Sequence, residues 1–266
     1  MTFLSKNLVL SLVSVSDEAP RLCYQSIVNQ SNITATSFLT QGSTTFPASN
    51  MANPATSFGW EAEDTADQTI TITNSTATGI DYVGIARHNL GQSGLEVRVQ
   101  FDGVTVRDWA SVGSIQALLM LFGEASPATI AIDIRGASNP AKIAVVYVGK
   151  SLQFQRNIYV GHTPINYGRD RQKVNGVSQA GEYLGEIVLN ETLQTSVSIQ
   201  NLTALWYRQS LDPFYAMNPR KPVFWAWRPG TYPNEVAYAW VEGNPVPINQ
   251  RPNGMMETSF NLRGIA

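Results

Sequence analysis

The first half of the chain alternates apolar and polar residues over short stretches, which is the pattern of half-buried β-strands. Residues 95–101 and 130–134 alternate in this way, while residues 143–149 (IAVVYVG) are continuously apolar. A continuous run of this length is typical of a strand that is buried on both faces. Residues 114–123 (SIQALLMLFG) fit either a short helix or a strand. Together these segments predict a β-sandwich.

The second half predicts a smaller antiparallel sheet with one helix. After two strand-like segments, GEIVLNETLQ and SVSIQ, a helical pattern begins near Asn201, which we expect to cap it. Pro213 is expected to end this helix or to start a second turn, with Asp212 as its cap. Turn residues PGTYPN favour a hairpin between the first two of the strands that follow. These strands are predicted at 222–228, 235–243 and 256–264.

The patterning divides the chain into a β-sandwich domain at 1–154, a linker or extended arm at 155–181, and a β-rich domain at 182–266. The middle segment is polar and lacks sustained periodicity. It carries a basic cluster that includes Arg169 and Arg171, which is either a solvated face or a contact to a partner.

The N-terminal residues predict a strand in preference to a signal peptide. Leu8, Leu10 and Leu12 alternate with Val9 and Ser11 in a run that lacks a cleavage motif, so we expect nothing to be removed. No stretch of the sequence approaches the roughly 20 apolar residues that a membrane-spanning helix needs.

Composition and charge exclude several partners. The chain has 18 basic and 20 acidic residues, and only 14% of its residues are charged. A net charge of -2 provides no broad positive field, so we expect neither nucleic acid binding nor membrane insertion. Weak repulsion between copies is compatible with self-association.

The chemistry-bearing residues are few. The single cysteine, Cys23, excludes an intrachain disulfide, and no nucleophile motif surrounds any serine. His88 lies at a strand end, where a structural hydrogen bond is the favoured role. Glu61 and its acidic neighbours are typical of a solvated turn. We therefore expect no enzymatic activity, no cofactor and no metal.

Aromatic residues are concentrated in the second half, where they fit a sheet core, a subunit interface or a platform for sugar rings. Because side chains alternate along a strand, Trp225 and Trp227 are expected on the same face. The candidate interface or ligand residues are Trp60, His88, Arg169, Arg171, Trp225, Trp227, Tyr232 and Trp240.

Residues 40–150 carry a resemblance to a known family. The segments ASNMANPATSFGW, TITI and IDYVGIARHNLGQSGLEVRVQF resemble the galactose-binding-like jelly-roll module of tailed-bacteriophage tail and virion proteins. Later segments, among them IYVGHTPINYGRDR and PVFWAWRPGTYPNEVAYAW, are also similar to phage structural proteins. Residues that match the module's fold-marking positions are Trp60, Asp81, His88, Asn89 and Leu90.

The resemblance implies a mainly β fold with an N-terminal jelly-roll sandwich and a C-terminal antiparallel β domain carrying one helix. It implies a structural role in a phage virion, in the distal tail or baseplate, after synthesis in the host cytoplasm. The implied partners are other virion proteins and copies of the chain in a ring. The alternative is a receptor- or glycan-binding adhesin that contacts a host-surface glycan, and a glycoside hydrolase is the third hypothesis.

Overall fold

A computed structural model describes most of the chain and is the basis of the structural statements that follow. The described residues are 18–92, 94–136, 138–158, 161–217, 221–243, 245, 247–249 and 254–265. The strand predicted at residues 8–12 lies outside these ranges.

The described residues form strands and a few short helices. The strands are β1 (Arg21–Cys23), β2 (Ile33–Ala35), β3 (Thr40–Gln41), β4 (Thr44–Thr45), β5 (Trp60–Glu61), β6 (Gln68–Thr73), β7 (Ile80–His88), β8 (Glu96–Phe101), β9 (Val104–Ser111), β10 (Leu118–Ala125), β11 (Thr129–Arg135), β12 (Lys142–Gly149), β13 (Leu152–Gln153), β14 (Arg169–Val177), β15 (Tyr183–Thr203), β16 (Val223–Ala226), β17 (Val236–Glu242), β18 (Ile248–Asn249) and β19 (Met255–Ile265). The helical segments are two 3-10 turns (Ala48–Ala52 and Ile165–Tyr167), α1 (Ala204–Trp206), a π-helical turn (Tyr207–Leu211) and α2 (Asp212–Met217).

The first part of the chain is a sandwich of two antiparallel sheets. The first sheet has the strand order β2-β6-β11-β8-β9, and the second has the order β10-β7-β12-β5. From β9 to β12 the chain passes from one sheet to the other at every connection, as in a jelly roll. Apolar side chains from both inner faces form the first core, which includes Ile70, Val83, Val97, Ile132 and Val146.

The third sheet has the order β13-β1-β16-β17-β19-β15-β14, and β18 pairs with β19. The helical segment that runs from Ala204 packs on one face of this sheet. Tyr207, Leu211 and Phe214 contact the sheet residues Trp225 and Phe260 in a second core. The mainly β fold with one helix on the C-terminal sheet, predicted from the sequence, is confirmed.

The second sheet is buried on both faces, because its outer face packs against the third sheet. Tyr82, Tyr147, Phe224 and Tyr238 are among the side chains in this contact layer. Gly84 lies where a Cβ atom would stand 2.6 Å from the Phe224 ring, so the close approach of the two sheets depends on glycine. This layer explains why β7, β10 and β12 are buried at nearly every position, on both faces of the sheet.

Most strand predictions and the helix prediction are confirmed, whereas the predicted cap of that helix is wrong. The strands predicted at 95–101, 130–134 and 143–149 correspond to β8, β11 and β12. The segment 114–123 forms a strand from Leu118 onward.

The helix predicted near Asn201 begins at Ala204. Its cap is Thr203, whose side-chain oxygen accepts a hydrogen bond from the Trp206 amide at 3.3 Å. Of the two alternatives for Pro213, the structure fits the second: Pro213 does not end the helical segment but lies in the first turn of α2 (Asp212–Met217). Proline has no backbone N–H to donate to the preceding turn. The preceding turn is π-helical (Tyr207–Leu211), and its wider spacing accommodates this missing hydrogen bond.

The division of the chain at residues 154 and 182 stays a prediction, although strand pairing crosses these boundaries. Both β1 and β13 pair within the third sheet, whose other strands follow residue 168. Arg169–Val177, inside the predicted linker, form a regular strand.

The hairpin of β14 and β15 projects beyond the third sheet, and we call residues 169–191 the arm. Pairing of β15 with β19 stops at the pair Thr192–Ile265, so the part of β15 before Thr192 pairs with β14 alone. At about 3.3 Å per residue, this two-stranded ribbon extends about 30 Å. Gly181, with φ 84°, forms the turn at its tip.

Candidate functional site

A cleft of about 560 Å³ opens where one end of the sandwich meets the third sheet. Two loops of the sandwich, the segment before β5, and residues of the second and third sheets contribute its lining. We define this cleft by six of its lining residues: Phe58, Arg87, Gln92, Ile115, Gln116 and Asn166.

His88 holds the two sandwich loops together at the end of β7. Its Nδ1 accepts a hydrogen bond from the Leu90 amide at 3.3 Å, and its Nε2 lies 2.8 Å from the Gln116 carbonyl oxygen. Because a backbone amide can only donate, Nε2 carries the proton and donates to Gln116. Asn89 adds bonds to the Pro140 carbonyl and the Lys142 amide. These bonds fix the rim of the cleft.

Burial lowers the pKa of His88 from its usual value to about 4, and the bond to the Gln116 carbonyl opposes this shift. A lowered pKa means that the folded chain binds the proton less tightly than the unfolded chain. The stability contributed by neutral His88 is therefore present above about pH 6.5 and is lost as pH falls toward 4.

The wild-type protein is expected to lose about 2 kcal/mol of unfolding free energy through His88 between pH 7 and pH 4.5. The variant His88→Gln, which has no titrating ring, is expected to lack this part of the pH dependence although its stability is lower at pH 7. Urea unfolding of both proteins across this range measures the difference. Parallel pH profiles would contradict the assignment.

The lining of the cleft combines apolar side chains with amides. The Phe58 side chain is 58% exposed and Ile115 is 49% exposed, which is unusual for large apolar residues beside a concave surface. Gln92 and Gln116 lie on the loops that His88 connects. Trp60 lines the cleft from below with a fully buried ring, and its Nε1 donates to the Ser37 carbonyl at 2.8 Å.

Two ion pairs balance most of the charge in the cleft. Lys142 Nζ lies 2.7 Å from Glu61 Oε1, and Arg169 Nε lies 3.7 Å from Glu191 Oε1. Arg87 adds one positive charge at the rim. Because its charges are mostly paired, the cleft is suited to a ligand that carries little or no net charge.

Asn166 presents an unused acceptor in the cleft wall. Its amide nitrogen donates weakly to the carbonyl oxygens of Asn234 and Val236, each at 3.5 Å. Its Oδ1 is buried and has no hydrogen-bond partner among the described residues. A buried acceptor without a donor costs free energy, and because less than 1 Å² of Oδ1 is accessible, a ligand hydroxyl or amine would gain this contact only after the Asn166 side chain turned toward the cleft.

A stacked aromatic cluster adjoins the cleft on the third sheet. The rings of Trp227 and Tyr232 are parallel within 8° at a centroid distance of 5.2 Å, and the His162 ring lies 5.2 Å from Trp227. Trp227 Nε1 donates to Glu235, and the Arg228 guanidinium lies 5.8 Å from the Trp227 ring centroid. The cluster is held by its own contacts, and Tyr232 forms its exposed face.

The structure brings three of the sequence candidates together and separates the others. Trp60, His88 and Arg169 line the cleft, and Trp227 stacks with Tyr232. The other candidates are placed elsewhere: Arg171 pairs with Glu191 on the arm, Trp240 is half-buried in β17, and Trp225 lies in the second core.

Trp225 is a correction to the sequence candidates. Its ring is fully buried, so it is not available to a ligand or a partner, and the same correction applies to the fully buried ring of Trp60. Sequence reasoning also missed Phe58, Gln116 and Asn166, of which only Phe58 gave a signal, as an aromatic residue in a turn-rich segment.

Neither a metal site nor a membrane span is found in the described part of the chain. Its His, Cys, Asp and Glu side chains form no group of three or more that could hold a metal ion. None of its helices has the length and apolar character needed to span a membrane.

No protein-family model and no curated protein matches the chain. Among solved structures, chitosan-binding module 1 of a chitosanase/glucanase from Paenibacillus sp. IK-5 is 15% identical, with a TM-score of 0.37 over 47% of this chain and 98% of that one. A Clostridium perfringens module in complex with GalNAc-β-1,3-galactose is 16% identical, with a TM-score of 0.35 over 45% and 96%.

A third similar structure, truncated AlyQ with CBM32 and alginate lyase domains, is 14% identical, with a TM-score of 0.37 over 79% of this chain and 55% of that one. The chain thus spans about half the length of that protein. Similarity at this level supports no conclusion about ligand or partner.

Proposed function

We propose that the chain is a non-catalytic binding protein that recognises a glycan in the cleft. The observation that carries this proposal is the exposed Phe58 ring in a concave site that also holds Gln92, Gln116 and the unused acceptor of Asn166. Sugars present an apolar ring face and a rim of hydroxyl groups. An aromatic face together with amide groups is complementary to both.

The dimensions and charge of the cleft support a short neutral oligosaccharide. Its volume lies within the range of roughly 300–1,000 Å³ that small-molecule sites occupy. The ion pairs Lys142–Glu61 and Arg169–Glu191 leave little net charge to recruit an anionic ligand.

The proposal includes binding without turnover. General acid–base catalysis needs a group that is available to exchange a proton with the substrate. In the cleft, Glu61 and Glu191 are each paired with a cation, and both ring nitrogens of His88 bind backbone groups. Incubation with a polysaccharide panel is expected to release no reducing ends, and measurable release would overturn this part of the proposal.

Phe58→Ala is expected to weaken glycan binding about tenfold, which corresponds to the loss of one ring contact of about 1.4 kcal/mol. A glycan array that includes neutral GalNAc-β-1,3-galactose, cationic chitosan, and anionic pectin and alginate, the sugars named for similar structures, selects the ligand, and a neutral glycan is expected. Titration calorimetry then compares the wild type with the variant.

Phe38→Ala is the matched control, because Phe38 is an exposed phenylalanine that does not line the cleft. It is expected to bind like the wild type. Equal weakening in both variants, or full affinity in Phe58→Ala, would exclude the cleft as the binding site.

A second candidate function is a structural role in a phage virion, in the distal tail or baseplate, through packing between subunits. The observation that favours it is the apolar surface of the projecting arm. The two functions are compatible, because a subunit of a tail can also contact a host-surface glycan. Antibody labelling of purified phage particles tests this role, and the absence of the chain from all particles would exclude it.

A further inference from the structure

The arm exposes an unusual number of large apolar side chains. Between 45% and 69% of each of these side chains is accessible. They are Val174, Val177, Tyr183, Leu184, Ile187, Val188 and Leu189. Exposed apolar side chains concentrated on one projecting element mark an interaction site.

The apolar side chains lie on both faces of the ribbon. Val174 pairs with Ile187, and Val177 pairs with Tyr183. Because Val174 and Val177 are three residues apart on one strand, the two pairs point to opposite faces. The remaining leucines, Leu184 and Leu189, fall where the pairing shifts by one residue. Among the described residues, no core covers either face of this ribbon, and an isolated two-stranded hairpin is only marginally stable.

The charges of the arm argue against a partner that binds mainly through opposite charge, such as nucleic acid or anionic lipid. Ion pairs within the arm join Arg171 to Glu191 and Lys173 to Glu186. The arm has three basic and four acidic residues: Arg169, Arg171, Lys173, Asp170, Glu182, Glu186 and Glu191. It therefore has no net positive field for nucleic acid or anionic lipid, and its partner must offer apolar protein surface.

The edge strand β14 indicates whether a partner adds a strand to the arm or packs on one of its faces. β14 is the outermost strand of the third sheet and carries Arg169, Arg171 and Lys173. Basic side chains along an edge strand oppose the addition of another strand. The arm is therefore suited to docking through its faces.

We propose that the arm docks on a second copy of this chain, with each of two copies placing its arm on the other. The seven exposed side chains offer on the order of 500 Å² of apolar surface, and an acceptor would bury a similar area. One arm on an unrelated partner then buries about 1,000 Å² in total, below the roughly 1,200–2,000 Å² of a stable interface. Reciprocal docking of two arms doubles this area to about 2,000 Å².

The base of the arm adjoins further apolar surface that a second copy also provides. Arg169, Glu191 and Leu193 line the cleft, in which Phe58 and Ile115 are exposed. In a symmetric pair, each arm therefore meets the exposed Phe58 and Ile115 of the other copy, which lie near the base of that copy's arm. This proposal rests on the arm and does not depend on glycan binding.

The test measures the mass of the full chain in solution by light scattering at concentrations from 1 to about 100 µM. The wild type is expected to contain at least two chains, and Leu184→Glu and Ile187→Lys are expected to weaken the association at least tenfold. Val104→Lys is the matched control, because Val104 is equally exposed on the first sheet and is expected to leave the mass unchanged.

Both arm variants replace exposed side chains, so circular dichroism is expected to show an unchanged fold. Hydrogen exchange of the wild type gives a second readout: amides of residues 174–189 are expected to become protected as concentration rises. A wild-type monomer at 100 µM, or arm variants that keep the full mass, would overturn the proposal. A monomer that binds a different protein through the arm would also overturn it.

Discussion

Replacing Trp225 by alanine is expected to lower the free energy of unfolding by about 4 kcal/mol. The ring is fully buried in the second core, where its centroid lies 5.9 Å from that of Phe154 and 6.1 Å from that of Phe260. Truncation leaves a large cavity between the third sheet and the helix, and the surrounding side chains can fill only part of it. Urea unfolding followed by tyrosine and tryptophan fluorescence measures the change.

Tyr232→Ala is the control for this prediction, since Tyr232 is also an aromatic residue of the third-sheet region but is exposed. This variant loses one stacking contact with Trp227, and its free energy of unfolding is expected to fall by about 1 kcal/mol. If Trp225→Ala lowered the free energy of unfolding by less than about 1.5 kcal/mol, the second core would not depend on this ring.

These two residues illustrate what the sequence pattern could and could not predict. Alternation along a strand places Trp225 and Trp227 on the same face, and both pack against the second core. Alternation does not give the depth of burial. Because β16 ends at Ala226, Trp227 already lies beyond the strand and keeps part of its surface exposed.

Local patterns predicted the strands well, whereas pairing between distant segments left no local signal. The run at 143–149 predicted a strand buried on both faces, and the third sheet supplies the second cover. The pairing of Arg21–Cys23 with Val223–Ala226 joins residues about 200 positions apart and could not be inferred from either segment. Residues 169–177 are exposed on both faces of the arm, so they lack the alternation that identifies a strand.

The candidate site was predictable only in part, because contacts between distant segments leave no local signal in the sequence. His88 and Trp60 were recognised as residues that mark the fold, and the structure places both at the cleft. Phe58, Gln116 and Asn166 come from three segments that the topology brings together. Their chemistry is ordinary in isolation, and only their convergence makes a site.

Replacing Asp81 by leucine is expected to destabilise the fold by about 3–5 kcal/mol, because it removes a buried carboxylate that faces the Arg21 guanidinium and accepts two hydrogen bonds from Ser151. Asp81 accepts hydrogen bonds from the Ser151 amide at 2.6 Å and the Ser151 hydroxyl at 2.8 Å. Arg21 Nη1 lies 3.9 Å from the carboxylate and donates to Ser151 Oγ at 3.0 Å. The cluster joins β1 of the third sheet to β7 of the second.

The pH dependence of this cluster has the opposite sign to that of His88. Burial raises the pKa of Asp81, although the bonds from Ser151 and the charge of Arg21 oppose the shift. The folded chain therefore binds this proton more tightly than the unfolded chain. The stabilising effect is complete below the usual pKa of an aspartate and is lost as pH rises through the raised value.

The double variant Arg21→Met/Asp81→Leu separates the buried charge from general damage to the contact. The double variant removes the buried guanidinium together with the carboxylate that faces it, so it is expected to be more stable than Asp81→Leu alone. Chemical unfolding at pH 7 compares the two. If the double variant were less stable than the single one, the cost of Asp81→Leu would come from packing and lost hydrogen bonds, and the loss of negative charge beside Arg21 would not be its cause.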